Sequence, residues 1–267
     1  MGVAAGTMAA AAYPTLAEPR WTEVTHNRIR LGLAKPVRVL HLADFHASFL
    51  VPMSLIEQSI RLGLEQRPDF ACLTGDFITF QHDFDAARYV TALRRLTGAV
   101  PTYAVLGNHD GGKWAPERGG FGDHYTVERI LADSGVRLLH NRAERVRVNG
   151  AALSLVGTGD LWSEEIDADA AFSGAEPGLP TVLLAHNPDS KELLRDRHWN
   201  VMLSGHTHGG QVIIPFEGPQ FAPVEDKRYV AGLGRWGARE IFVTRGVGNL
   251  GGVRFLCRPE VSLLTLG

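Results

Sequence analysis

The stretch SGHTHGGQ, residues 204–211, places His206 and His208 two residues apart between Gly205 and Gly209–Gly210. Imidazole is the commonest neutral metal ligand. At the end of a strand, the period of two turns such a pair of rings to one side. Glycine lets the chain bend sharply and approach other groups closely. An isolated His-x-His is equally compatible with a plain polar loop. Four further loops bear on the choice: DFH carries Asp44 and His46, GD carries Asp76, GNHD carries Asn108, His109 and Asp110, and AHNPD carries His186. Five of the chain's 11 histidines fall in these short segments. One such loop is more often structural than chemical; five together point to a single metal site.

The donors are carboxylate, amide and imidazole, without thiolate. That set suits Mn, Fe, Zn or Ni better than an all-oxygen calcium site. With His109 set aside, seven candidate ligands remain: Asp44, His46, Asp76, Asn108, His186, His206 and His208. Seven exceed the needs of one tetrahedral ion and suit two divalent ions sharing a carboxylate. Two ions about 3.5–4 Å apart form the clamp used in phosphoester hydrolysis, where they acidify water and neutralise transition-state charge.

The elements that must position these loops are legible in the apolar pattern. VRVLHLADFH (37–46), DFACLTGD (69–76), PTYAVLGNHD (101–110), TVLLAHNPD and NVMLSGHTHGGQ are apolar runs ending in polar residues. Each predicts a buried strand running into a loop. PMSLIEQSIRLGLEQRP (52–68), bounded by Pro52 and Pro68, predicts a helix. DFDAARYVTALRRLTG (83–98) predicts a second, ended by Gly98. This alternation gives βαβαβ with a parallel sheet. RVRVNGAALSLVG (145–157) predicts a hairpin about Asn149-Gly150. EIFVTRGVG and EVSLLTL add late strands, with few helices between. The expected architecture is an α/β sandwich of one mostly parallel and one mixed sheet, helices outside. Sites in such sheets form beyond the carboxyl ends of the strands, where all five loops lie.

Composition agrees and excludes some classes. The 267 residues suffice for one large domain, or at most two, with a sizeable core. Hydrophobic residues make up 45% and charged residues 21%, which argues against disorder. A net charge of −2 leaves no basic footprint for nucleic acid. Cys72 and Cys257 have no zinc spacing and form no disulfide framework; Cys72, in an apolar run, reads as a small buried residue. The segment 1–19 is too short to span a membrane and lacks a basic start. It reads either as the remnant of an apolar leader or anchor, or as a loosely packed arm.

The ordered set D-x-H, G-D, G-N-H-D, H and G-H-T-H resembles the calcineurin-like metallophosphoesterase superfamily from residue 37 to the C-terminus. The resemblance implies a four-layer αββα sandwich of two mixed β-sheets flanked by helices, occupying 37–267 after an N-terminal arm, 1–36. It implies Asp44, His46 and His208 on one metal, Asp76 bridging, and Asn108, His186 and His206 on the second. His109 would face the scissile phosphate as general acid or transition-state stabiliser, its ring held by Asp110. Every position of the set is filled, which argues against an inactive scaffold. GHTHGGQ and the tail TRGVGNLGGVRFLCRPEVSLLTL resemble a bacterial subgroup of membrane-associated phosphodiesterases and UDP-2,3-diacylglucosamine pyrophosphatases. That implies two divalent ions, with manganese favoured, and a nucleotide-sugar lipid cleaved to lipid X and UMP. The alternative is a broad-range cell-envelope or nucleotide phosphodiesterase. It also implies peripheral contact with the cytoplasmic membrane, its cytoplasmic face favoured, with export by a leader missing from this chain as the alternative.

Several flanking residues carry two readings. Phe49, Leu50, Val51 and Met53 would contact acyl chains or membrane, or pack a helix. The glycine-rich segment 111–124, with Trp114 and Phe121, would be a mobile lid or a surface excursion. Arg245 and Arg254 would hold an anionic substrate group, or form surface ion pairs. His82, His124 and His140 lie outside the metal loops, and Asp160 is expected to shape a loop.

Overall fold

A computed structural model describes residues 12–81 and 84–267. The expected readings of residues 1–11 and of His82 lie outside the described residues. The strands are β1 Glu23–Ile29, β2 Val37–Leu42, β3 Phe70–Thr74, β4 Thr102–Val105, β5 Arg137–Leu138, β6 Arg142–Val148 and β7 Ala151–Gly157. They continue with β8 Thr181–Leu184, β9 Val201–Ser204, β10 Ile213–Ile214, β11 Gly218–Pro219, β12 Gly232–Trp236, β13 Arg239–Val243 and β14 Glu260–Leu266. The helices are α1 Met53–Glu65, α2 Ala86–Thr97, α3 Tyr125–Asp133 and α4 Ala168–Phe172.

Twelve of the strands form two six-stranded sheets, in the orders β1-β14-β2-β3-β4-β5 and β12-β13-β9-β8-β7-β6. In the first, β2, β3 and β4 are parallel and β14 is antiparallel to β2. In the second, β7, β8, β9 and β13 are parallel, closed by an antiparallel strand at each edge. Both sheets are therefore mixed. The β6–β7 hairpin turns at Asn149 and Gly150, both with positive φ, as a tight two-residue turn requires.

The apolar runs explain the layers. Along β2, Val37 and Val39 pack toward the second sheet, while Leu40 and Leu42 pack under the helices. Along β9, Val201 and Leu203 pack toward the first sheet, and Met202 faces outward. Strands buried on both faces need continuous apolar sequence rather than alternation. One core lies between the sheets. A second lies between the first sheet and α1–α3, and a third under α4, Trp199 and Tyr229. This is the four-layer sandwich.

Details differ from expectation for local reasons. Helix α2 starts at Ala86, because the Asp85 carboxylate caps it by accepting from Arg88 N–H at 3.0 Å. Strand β1 lies within the segment expected to be an arm, yet it pairs in parallel with β14 along its whole length. Its sequence EVTHNRI is polar and mostly half-buried, so no apolar run announces it. Among the described residues, no helix is long and apolar enough to cross a membrane.

Leu203, fully buried between the sheets, immediately precedes the loop that carries His206 and His208. Leu203→Ala is expected to cost about 2–5 kcal/mol, and Leu203→Met less than about 1.5 kcal/mol. Urea unfolding midpoints of the two variants check this. Equal midpoints for Leu203→Ala and wild type would contradict the packing described.

Candidate metal centre

The loops after β2, β3, β4, β8 and β9 meet at one edge of the sandwich. Ligand atoms of Asp44, His46, Asp76 and His208 all lie within 4.8 Å of one another, as do those of Asp76, His186 and His206. Asp76 belongs to both groups. Its Oδ2 stands 3.3 Å from His46 Nε2 and 3.3 Å from His186 Nε2. His46 Nε2 lies 3.0 Å from His208 Nε2, and His208 Nε2 lies 3.6 Å from Asp44 Oδ1. Around His186 Nε2 are Asn108 Oδ1 at 3.1 Å and His206 Nδ1 at 3.2 Å. All seven side chains are buried.

The backbone reaches this arrangement by unusual turns. Asp44, His46, Asp76, His206 and His208 all have φ between 47° and 69°. For residues other than glycine this region costs roughly 1–2 kcal/mol each, and such conformations cluster at functional sites. Two glycines permit close approach. A Cβ at Gly107 would overlap Asp76 Oδ1, and one at Gly205 would overlap Asp44 Oδ2.

The surrounding hydrogen bonds orient the ligands. His206 N–H donates to Asp44 Oδ1 at 2.9 Å, and His109 N–H donates to Asp76 Oδ1 at 2.9 Å. His186 Nδ1 lies 2.7 Å from Thr74 O, and His206 Nε2 lies 3.1 Å from Pro223 O. A carbonyl only accepts, so those two nitrogens carry the protons. In the neutral rings that metal binding requires, His186 Nε2 and His206 Nδ1 then carry the lone pairs. They point at each other and at Asp76 Oδ2 and Asn108 Oδ1, two further acceptors. Thr79 Oγ1, which donates to His46 O, lies 3.2 Å from His46 Nδ1 and accepts from it, as Thr74 O does from His186 Nδ1, so His46 Nε2 faces the cluster. Lone pairs converging in a buried space repel unless a cation lies among them. The donor set and its aim therefore fit divalent metal ions.

Electrostatics point the same way. Burial pushes the Asp44 carboxyl up to about 6 and the His206 ring down to about 3. Burial also opposes ionisation of Asp76 and His186. Their mutual attraction overrides it, holding Asp76 well below the carboxylate range and His186 up at about 10. The proton that this attraction keeps on His186 Nε2, facing Asp76 Oδ2, occupies the place a bound cation would take.

Asp110 is placed differently from the expectation. Its carboxylate does not hold the His109 ring. It accepts backbone N–H groups of Asp76 at 2.8 Å, Phe77 at 2.6 Å and Gly107 at 2.8 Å. It thereby fastens the loop after β3 to the loop after β4. The His109 ring is set instead by Nδ1, 3.4 Å from Thr79 O, which leaves Nε2 as the nitrogen available to the cleft. Burial pulls the His109 ring down to about 4.

Neither arginine singled out from the sequence reaches the cleft. Arg245 pairs with Glu23 at 2.7 Å and Glu260 at 3.3 Å. Arg254 is fully buried and donates to Gly248 O at 3.0 Å, Cys257 O at 3.0 Å and Arg245 O at 2.7 Å. A buried loop must satisfy its carbonyls, and the guanidinium fork satisfies several at once.

The cleft over the ligands has a volume of 430 Å³. The segment 111–124, read as lid or excursion, forms one wall. The Trp114 ring stands 4.8 Å from His109 and 5.3 Å from Trp162, which stands 4.3 Å from His206. Arg118 also lines the cleft. Trp162 and Arg118 are not among the site residues expected from the sequence; a tryptophan inside the polar stretch GTGDLWSEE is the signal for the first. His124 bonds Glu165 at 2.8 Å, and Asp160 Oδ2 accepts from Ser163 N–H at 2.7 Å, so both shape loops. Val51 and Met53 are packed in the core, while Phe49 is exposed.

Comparison with known proteins agrees with this geometry. The family model for calcineurin-like phosphoesterases matches residues 37–210. The chain is 43% identical to phosphodiesterase YaeI of Escherichia coli (strain K12), over 95% of this chain and 92% of that protein. It is 26% identical to UDP-2,3-diacylglucosamine pyrophosphatase LpxG of Chlamydia trachomatis, over 92% of this chain and 90% of that one. Among solved structures, NAD nucleotidase (NadN) of Haemophilus influenzae shares the fold. It has a TM-score of 0.50 at 13% identity, covering 80% of this chain and 45% of that chain. The family match over most of the sandwich and the YaeI relative agree with a cluster built to hold metal: the chain belongs to the calcineurin-like phosphoesterases and is a metal-dependent hydrolase.

Proposed function

We propose that this chain holds two divalent cations, manganese favoured, and hydrolyses a phosphodiester or pyrophosphate bond. Asp44, His46 and His208 would hold one cation and Asn108, His186 and His206 the other, with Asp76, which belongs to both groups, shared between them. The observation that carries this reading is the convergence of carboxylate, amide and imidazole donor atoms on both sides of Asp76. Two bound cations would supply Lewis acidity, acidifying water and neutralising charge on the phosphoryl group. The protein's own groups do the rest. Thr79 O fixes His109 through Nδ1, so Nε2 is the atom that exchanges a proton with the substrate. Burial keeps the free ring neutral, and an anionic phosphoryl group beside it raises its proton affinity. The ring is then a donor to the leaving oxygen. Trp114 and Trp162 wall the cleft against water. Asp110 keeps the two loops in register.

The favoured substrate is UDP-2,3-diacylglucosamine, with water added across the pyrophosphate to give lipid X and UMP. Beside the metal cleft lies an apolar cavity of 710 Å³, lined by Val212, Phe221, Ala222 and Val253. His208, Pro223 and Leu250 line both spaces. Phe216, on the β10–β11 hairpin, and Phe221 are exposed. An apolar space opening onto a phosphoesterase site suits an amphiphilic diester and peripheral contact with a membrane, its cytoplasmic face favoured. The 26% match to the Chlamydia pyrophosphatase is consistent with that choice. The 43% match to a phosphodiesterase favours a second reading, a broader range of envelope or nucleotide diesters.

Two experiments test these readings. With Mn²⁺, purified protein is expected to release UMP from UDP-2,3-diacylglucosamine, and the Asp76→Ala variant is not. No UMP release, with hydrolysis of bis(p-nitrophenyl) phosphate retained, would select the broader reading. No hydrolysis of either would overturn the proposal. Separately, His109→Ala is expected to lower kcat about 10²–10⁴-fold while metal content stays near that of wild type. Unchanged turnover would remove His109 from the mechanism.

A further inference from the structure

Arg118 is the one lysine or arginine among the described residues that line either the metal cleft or the adjoining apolar cavity. Its guanidinium lies over the Trp114 ring, 3.9 Å from the centroid. The same indole stands 4.8 Å from the His109 ring. One indole therefore separates the cation from the reaction site. The guanidinium makes little use of its donors. Nη1 lies 3.5 Å from Trp114 O and 3.7 Å from Glu117 Oε2. That glutamate is strongly exposed, so the pair contributes little. Nε and Nη2 have no hydrogen-bond partner among the described residues.

The segment that carries Arg118 is pinned. Gln81 N–H donates to Gly119 O at 3.1 Å, and Gln81 Nε2 donates to Gly120 O at 2.6 Å. Gly120 N–H returns to the buried Ala115 at 3.0 Å. Stacking on an aromatic face fixes the plane of a guanidinium and leaves its edge donors outward. A planar fork of this kind matches a phosphate in two parallel bonds. The cations would neutralise the phosphoryl group that reacts. A second anionic group on the substrate would need a further partner, and Arg118 supplies it.

We propose that Arg118 is a specificity-determining residue that binds a second phosphoryl group on the substrate, beside the one that reacts. The site then favours pyrophosphate-linked substrates over simple diesters. This deepens the phosphodiester reading and rests on it.

The test uses the Mn²⁺-loaded full chain with Arg118→Ala and Arg118→Lys. Calorimetry gives Kd for UDP-N-acetylglucosamine, which carries two charged phosphoryl groups. Steady-state kinetics give KM for bis(p-nitrophenyl) phosphate, which carries one. Arg118→Ala is expected to raise Kd for the two-charge probe about tenfold more than it raises KM for the one-charge substrate. Arg118→Lys, keeping charge without the fork, is expected to recover only part of the difference. Equal changes on both probes, or an unchanged Kd, would overturn the proposal. Absence of diester hydrolysis by wild type would instead count against the phosphodiesterase reading, and calorimetry would still report on Arg118.

Discussion

The structure depends on one constraint: two carboxylates, an amide and four imidazoles are buried with their lone pairs turned toward Asp76. Without positive charge among them the arrangement is repulsive, and in two of the rings the N–H turned away from the cluster donates to Thr74 O or Pro223 O, leaving the other nitrogen to face a cation. Much of the local architecture holds these donors where they would not otherwise stay. Five non-glycine residues take left-handed backbone conformations at the strand ends. Asp110 binds two loops through their backbone N–H groups, and Gly107 and Gly205 are small enough for Asp76 and Asp44 to sit against them. The face-to-face sheets supply a rigid platform that carries this local cost.

The division of labour around the centre follows from the layers. Loops from both sheets supply the candidate ligands, so the site spans the edge of the inter-sheet core. The two walls of the cleft come from connections outside the sheets: segment 111–124 with Trp114 and Arg118, and the loop that holds Trp162. The C-terminal turn is built around Arg254, whose guanidinium satisfies carbonyls beneath His208. A cation buried for that purpose is unavailable to substrate, and the same holds for Arg245 between Glu23 and Glu260.

What was legible in the sequence divides along physical lines. Strands buried on both faces announce themselves as apolar runs, so β2, β3, β4, β8 and β9 and the loops that end them were readable. The candidate ligands were readable for the same reason, because each sits where such a run stops. Strand β1 was not, since a polar, half-buried strand at a sheet edge has no apolar signature. The role of Asp110 was misread because a carboxylate next to a histidine looks the same whether it accepts from the ring or from the backbone. Arg118 and Trp162 were missed because wall residues are set by loop conformation, which carries no period. The two arginines expected at the site stand in conspicuous motifs, yet Arg245 is held by two carboxylates, Glu23 and Glu260, and Arg254 by the carbonyls of its own turn and of His208.

The central claim is that the converging donors form a two-cation site organised by Asp76. Elemental analysis of the purified chain after Mn²⁺ loading and removal of free metal tests it most directly. The account predicts two metal ions per chain in wild type and no more than one in Asp76→Asn, with both proteins folded by circular dichroism. One ion or none in the folded wild type, or two retained in the variant, would contradict it.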